Sequence, residues 1–183
     1  MNYKILLTKH EIKKLVVKTA EEIVTHIQSY NISELTLMPI MNGSMFYAID
    51  LMRQMTEEMN DRDISCNLQI ETLRIKSYEN NSNVGTTLTC DGINSMNIEG
   101  RNILIVDDVF DTGNTLKWLV NELTTRGANM ILTAVFVDKT CNHTPQHIPD
   151  FVSYTLDKNL FLVGYGMDDN GLHREWTNLC YII

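Results

Sequence analysis

A chain of 183 residues can bury a substantial core without disulfides or structural metals, and its length favours one domain spanning residues 1–183. Hydrophobic residues make up 44% and charged residues 21%, with only 9 Gly and 3 Pro, which excludes disordered and fibrous classes. A net charge of -8 disfavours loose binding to nucleic acid or an anionic membrane, so any anionic substrate requires a local electropositive site. Cys66, Cys90, Cys141 and Cys180 form no CxxC pair, and no apolar run approaches the roughly 18 residues of a membrane span. The expectation is a cytoplasmic protein with reduced thiols, no membrane anchor and no nucleic-acid partner.

Thr8 with Glu11 three residues on makes a capping-box pattern, and Ile12, Leu15, Val16, Ala20 and Ile23 follow at helical spacing, predicting a helix from Thr8 to Tyr30. Glu34 to Ile40 reads as a strand that breaks at Met41-Asn42-Gly43, and Met45 to Met59 reads as a second helix. Leu68 to Ile75 alternates at period two. Behind it, Ser77 to Gly85 is polar and rich in Asn, the composition of a mobile loop. Ile103 to Val106 is a continuous apolar run suited to a central parallel strand, followed by helical spacing of Leu116, Leu119, Val120 and Leu123. Ile131 to Val137, Phe161 to Val163 and Asn178 to Ile182 supply later strands. Strands alternating with helices imply an α/β fold with a central, mostly parallel sheet flanked by helices.

The chemistry concentrates in Val106-Asp-Asp-Val-Phe-Asp-Thr-Gly-Asn-Thr-Leu116, where three carboxylates lie between a buried strand and a helix. Ligands of open α/β sheets bind at this edge. Thr112, Gly113, Asn114 and Thr115 combine hydroxyl donors with N–H groups at a helix start, the chemistry of a phosphate cradle. Acids beside an anion site are reconciled by a phosphorylated sugar: Asp107 and Asp108 accept from its hydroxyls or hold Mg²⁺ through water, and the helix end takes the phosphate. The bland alternative is a capped, solvated turn. A phosphoacceptor module would place its acids after the first strand, a P-loop match is missing, and Gly164-Tyr-Gly166 lacks the third glycine of a dinucleotide fingerprint.

That central segment resembles the phosphoribosyl pyrophosphate signature of type I phosphoribosyltransferases. Four more segments resemble, in order, the hypoxanthine-guanine (6-oxopurine) branch: Met41-Asn42-Gly43 at the pyrophosphate loop, Leu73-Arg-Ile-Lys-Ser-Tyr78 at the flexible catalytic loop, Phe136-Val-Asp-Lys139, and Phe161 to Asp168 with Arg174 beyond. The resemblance implies a type I fold with a small hood, a homodimer or homotetramer, and purine salvage. In that reaction the phosphoribosyl group passes from phosphoribosyl pyrophosphate to N9 of hypoxanthine or guanine with Mg²⁺ as cofactor.

Carried over residue by residue, the resemblance puts Asp107 and Asp108 on the ribose hydroxyls, Asp111 beside purine N7 as the proton-handling catalytic group, and Thr112 to Thr115 on the 5′-phosphate. Lys139 would donate to the 6-oxo group, Phe161 would stack on the base, and Leu162 and Asp168 would offer backbone groups to its edge. Asp168, with Asp107 and Asp108, would hold the metal. Asn42, Gly43 and Arg174 would contact pyrophosphate, and Ser77 and Tyr78 would begin the closing loop. Two positions depart from the pattern: Asn42 stands where the family often has Lys, and His143 where it has Arg. Cys141-x-His143-x₃-His147 superficially resembles a zinc motif but lacks a fourth ligand nearby. The competing function is a regulatory protein that keeps the sugar-phosphate site and binds nucleic acid, against which the net charge argues.

Overall fold

The computed structural model describes residues 2–79, 86–142 and 148–183. In chain order the elements are β1 (Tyr3–Leu7), α1 (Lys9–Ser29), β2 (Glu34–Pro39), α2 (Met45–Asp61), β3 (Asn67–Ile70), β4 (Arg74–Glu79), β5 (Thr86–Asp91), a 3₁₀ turn (Ile93–Ser95), β6 (Asn102–Phe110), α3 (Asn114–Thr125), β7 (Met130–Lys139), β8 (Phe151–Leu156), β9 (Leu162–Val163) and β10 (Leu179–Ile182). The capping box starts α1 as expected: Thr8 Oγ1 accepts the Glu11 N–H at 3.4 Å, and Glu11 Oε2 accepts the Thr8 N–H at 2.8 Å.

Five parallel strands form the central sheet in the order β3-β2-β6-β7-β8. Side chains alternate across it. Leu104 and Val106 of β6 pack with α1 and α2 on one face, whereas Ile103 and Ile105 pack with Leu116, Leu119 and Leu123 of α3 on the other. The chain runs outward from β2 to β3 and then returns to the opposite side of β2 as β6. The order therefore reverses between β2 and β6, which opens a crevice at their carboxyl ends. β1, β10 and β9 form a small antiparallel sheet, and β4 and β5 an antiparallel hairpin.

The expected α/β architecture is borne out, with corrections at several strands. The apolar run at Ile103 extends to Phe110, so Asp107 and Asp108 are strand residues rather than the start of a turn. The alternating run from Leu68 to Ile75 is divided: β3 ends at Ile70, Leu73 bridges to Ile40, and β4 begins at Arg74. The expected loop from Ser77 to Gly85 is partly strand. Ser77, Tyr78 and Glu79 pair with Leu88, Thr87 and Thr86, and residues 80–85 lie outside the described residues. An antiparallel ladder satisfies backbone groups whatever the polarity of its side chains, so a polar composition did not preclude it. Among the described residues no helix is long and apolar enough to cross a membrane.

Candidate active site

The crevice begins with a pair of acids on β6. Asp107 is buried, Asp108 is half-buried, and the Asp108 N–H donates to Asp107 Oδ1 at 3.0 Å. Burial, followed by the neighbouring Asp108 charge, raises the Asp107 carboxyl well above the usual carboxylate range. Burial also raises Asp108, against which the Arg174 charge and local N–H donors pull. Adjacent carboxyls buried at a crevice are costly for folding alone, which marks them as candidates for ligand contact.

Across the crevice, the residues after β2 lie directly on this pair. Pro39 is in register with Val106, the Ile40 N–H donates to Val106 O at 2.9 Å, and the Met41 N–H donates to Leu73 O at 2.7 Å. The Met41–Asn42 peptide is cis. Ser44 is buried and donates through Oγ to Ile40 O at 2.8 Å, closing the loop into α2. A Cβ on Gly43 would fall 2.0 Å from Asp108 Oδ2, and one on Gly166 would fall 1.9 Å from Gly43 O. Only glycine permits these approaches, and Gly166 also sits at φ +105°. Asn42 is exposed at the tip.

Gly166 leads to the last cluster. Arg174 donates through Nη1 to Gly166 O and pairs through Nη2 with Asp168 Oδ1, both at 2.6 Å. The other Asp168 oxygen accepts the Gly171 N–H at 2.6 Å. Asn42, Gly43, Asp107, Asp108, Asp168 and Arg174 are thus brought to one place through direct contacts or through Gly166. Among the described residues no three His, Cys, Asp or Glu side chains form a metal cage. The dispersed acids instead suit a cation such as Mg²⁺ that takes one or two carboxylates and completes its shell with water and substrate phosphate.

The other half of the crevice follows β6 into α3. Gly113, at φ +77°, caps the helix without a side-chain hydrogen bond, and a Cβ there would fall 2.8 Å from Phe110 Cζ. Thr112 Oγ1 accepts the Asn114 N–H at 3.5 Å, while Thr115 is half-buried in the first turn. Gly113 supplies no side chain to cap the first turn, and only the long Thr112 contact engages the Asn114 N–H, an arrangement that suits an anion at this helix start. Asp111 is exposed, and its Oδ1 accepts from Asn142 Nδ2 at 2.5 Å. Lys139 ends β7, one position beyond Asp138, which is in register with Phe110, and is 8% exposed.

Phe161 is 56% exposed just ahead of β9, an open aromatic face, whereas Leu162 is buried. Tyr78 and Ser77 lie on the β4 arm, whose base adjoins the β2 loop through Leu73. His143 and His147 lie outside the described residues, so the zinc pattern has no structural counterpart to describe. A separate cleft of about 380 Å³ between α1, α2 and the Tyr165–Thr177 segment contains none of the site residues read from the sequence. Lys9, Lys13, Arg53, Asp50, Glu57 and Glu175 are among the residues that line it.

Three participants escaped the sequence reading. Gly166 falls in the Gly-Tyr-Gly run and in the Phe161–Asp168 segment of the resemblance but receives no role from either, although a glycine pair flanking a tyrosine is a signal of close backbone approach. Asn142 and Asn159 carried no local signal, because their contacts join segments distant in sequence: Asn142 Nδ2 also donates to Asn159 Oδ1 at 3.1 Å.

The model of the phosphoribosyl transferase domain family matches residues 2–170. Human phosphoribosyltransferase domain-containing protein 1 is 28% identical over 150 residues, covering 82% of this chain and 66% of that protein. The hypoxanthine-guanine phosphoribosyltransferase of Schistosoma mansoni is 26% identical over 178 residues, covering 97% of this chain and 62% of that one. The chain therefore spans just under two thirds of the length of these two relatives. A solved structure of the hypoxanthine phosphoribosyl transferase of Trypanosoma cruzi is 26% identical and superposes with a TM-score of 0.84, covering 98% of this chain and 91% of that one.

Proposed function

The chain belongs to the phosphoribosyl transferase domain family, and on that premise we propose that it is a purine salvage enzyme. It transfers the 5-phosphoribosyl group of phosphoribosyl pyrophosphate to N9 of hypoxanthine or guanine, releasing pyrophosphate and IMP or GMP. The observation that carries this reading is the convergence at the β2–β6 switch point of Gly43 against Asp108, with the Asp168–Arg174 pair reached through Gly166.

The N9 lone pair bonds to the anomeric carbon as the bond from that carbon to pyrophosphate breaks, and the bonding pair leaves on a pyrophosphate oxygen. Asp107 and Asp108 accept from the ribose hydroxyls and sit where positive charge develops on the sugar. The first turn of α3, with Thr112 and Thr115, holds the 5′-phosphate. Asp111 takes the proton from N7 as N9 reacts. Lys139 donates to the 6-oxo group, Phe161 stacks on the base, and backbone groups of Leu162 and Asp168 meet its edge. Arg174 and the backbone of Asn42 and Gly43 bind the leaving pyrophosphate; the exposed Asn42 amide adds a donor where a Lys would add charge. A divalent cation, Mg²⁺ by the chemistry of these carboxylates, would be held by Asp168 with Asp107 and Asp108 and would neutralise the diphosphate. The β4–β5 arm, with Ser77 and Tyr78, closes over the sugar and excludes water. The protein acts in the cytoplasm as a homodimer or homotetramer.

The test is product formation. Folded protein given phosphoribosyl pyrophosphate, Mg²⁺ and hypoxanthine or guanine should release one pyrophosphate per mononucleotide. No mononucleotide from any 6-oxopurine contradicts the reading.

A further inference from the structure

Asp111 projects from the short connection between β6 and α3 and is exposed, and the hydrogen bond that its carboxylate accepts among the described residues comes from another part of the chain. An exposed side chain on such a connection samples several rotamers, whereas a proton-handling group must stay within hydrogen-bond reach of one purine nitrogen. The restraint comes from elsewhere. Asn142 lies three residues beyond Lys139 in a turn closed by its own N–H donating to Lys139 O at 3.1 Å. Its side-chain amide uses one N–H on Asp111 Oδ1 at 2.5 Å and the other on Asn159 Oδ1 at 3.1 Å. Both acceptors face the amide nitrogen, which sets the amide's orientation. One side chain therefore ties together the carboxylate after β6, the end of β7 and the segment leading to Phe161.

We infer that Asn142 is a positioning residue for the transfer reaction: it occupies Oδ1 of Asp111 and leaves Oδ2 directed at the N7 proton. The inference rests on the proposed role of Asp111. A neutral donor to a carboxylate is stronger than a neutral pair and adds no charge that would compete for the phosphates. A lost restraint displaces Asp111 without touching the sugar site, and a misplacement of about 1 Å can cost about 10²-fold in rate.

Steady-state kinetics of the full chain with hypoxanthine, phosphoribosyl pyrophosphate and Mg²⁺ test this. Asn142→Ala should lower kcat by roughly 10- to 100-fold and leave KM for phosphoribosyl pyrophosphate within about twofold. Asn142→Asp keeps the shape and so guards against misfolding; it turns a carboxylate onto Asp111 and should lower kcat at least as far. Added to Asp111→Asn, the Asn142→Ala change should cost less than about twofold, because the group it positions no longer acts as a base. Wild-type kcat in Asn142→Ala or Asn142→Asp, an equal rise in KM for the sugar, or a full additional loss in the Asp111→Asn background each overturns the inference. If Asp111→Asn is itself as active as the wild type, the fault lies in the role given to Asp111.

Discussion

Gly43 and Asp108 face each other so closely that a Cβ on the glycine would fall 2.0 Å from the aspartate's Oδ2. The loop after β2 and the acid pair on β6 are therefore one surface, and a methyl group at position 43 must displace either the loop or the carboxylate. Gly43→Ala should raise KM for phosphoribosyl pyrophosphate by at least about tenfold with little change in KM for hypoxanthine. Unchanged constants for both substrates show that the loop adjusts and contributes nothing to sugar binding.

Asp107 and Asp108 are a folding liability. Both carboxyls are raised, chiefly by burial, so the folded chain holds protons that the unfolded chain releases. The contribution of this pair to stability is then fully present below the unfolded aspartate value of about 3.9 and is lost as pH rises from there through the raised values. Asp107→Asn removes one of the charges, so ligand-free protein carrying it should melt at a higher Tm at pH 7 than the wild type, with a flatter dependence of Tm on pH. A lower Tm at pH 7 contradicts this electrostatic reading.

Arg174 joins the Asp168 carboxylate to the carbonyl of Gly166, a residue whose Cα side lies against Gly43 O. Arg174→Gln keeps a donor for the carbonyl but loses the charge, and should raise KM for phosphoribosyl pyrophosphate by at least about tenfold. Asp168→Ala should in addition weaken the response to Mg²⁺. Titrating the rate of each variant with Mg²⁺ separates them; a wild-type Mg²⁺ profile in Asp168→Ala removes that residue from metal binding.

Lys139 has only donors, so in its proposed role it would pair with a 6-oxo group and meet the 6-amino group of adenine donor to donor. Sites built on a required hydrogen bond reject a substrate lacking it by about 10⁴–10⁵. Lys139→Gln adds an acceptor and should narrow the hypoxanthine-to-adenine ratio of kcat/KM. An unchanged ratio makes Lys139 a buried strand end and puts base reading elsewhere.

The parts of the molecule legible in the sequence are those whose signals are local. The capping box at Thr8, the apolar run at Ile103 and the Asp-Thr-Gly start of α3 each encode their structure within a few residues, and all three appear in place. β1 and β8 carry no such signal: both are short edge strands, β1 paired with β10 at the other end of the chain and β8 laid along the edge of β7. The same holds in the site: the acid cluster was legible, but Gly166 against Gly43 and Asn142 on Asp111 arise only when the sheet brings the segments together.

Under the proposed function, Asp107 within β6 and Asp111 just beyond it have different work: Asp107 binds the sugar and Asp111 moves the purine proton. The most direct test is a side-by-side measurement of kcat and KM for phosphoribosyl pyrophosphate in Asp107→Asn and Asp111→Asn with hypoxanthine as acceptor. Asp111→Asn should lose roughly 10²–10⁴ in kcat with KM nearly unchanged, and Asp107→Asn should raise KM more than it lowers kcat. Equal losses of sugar binding in both variants, with no selective fall in kcat for Asp111→Asn, would contradict it.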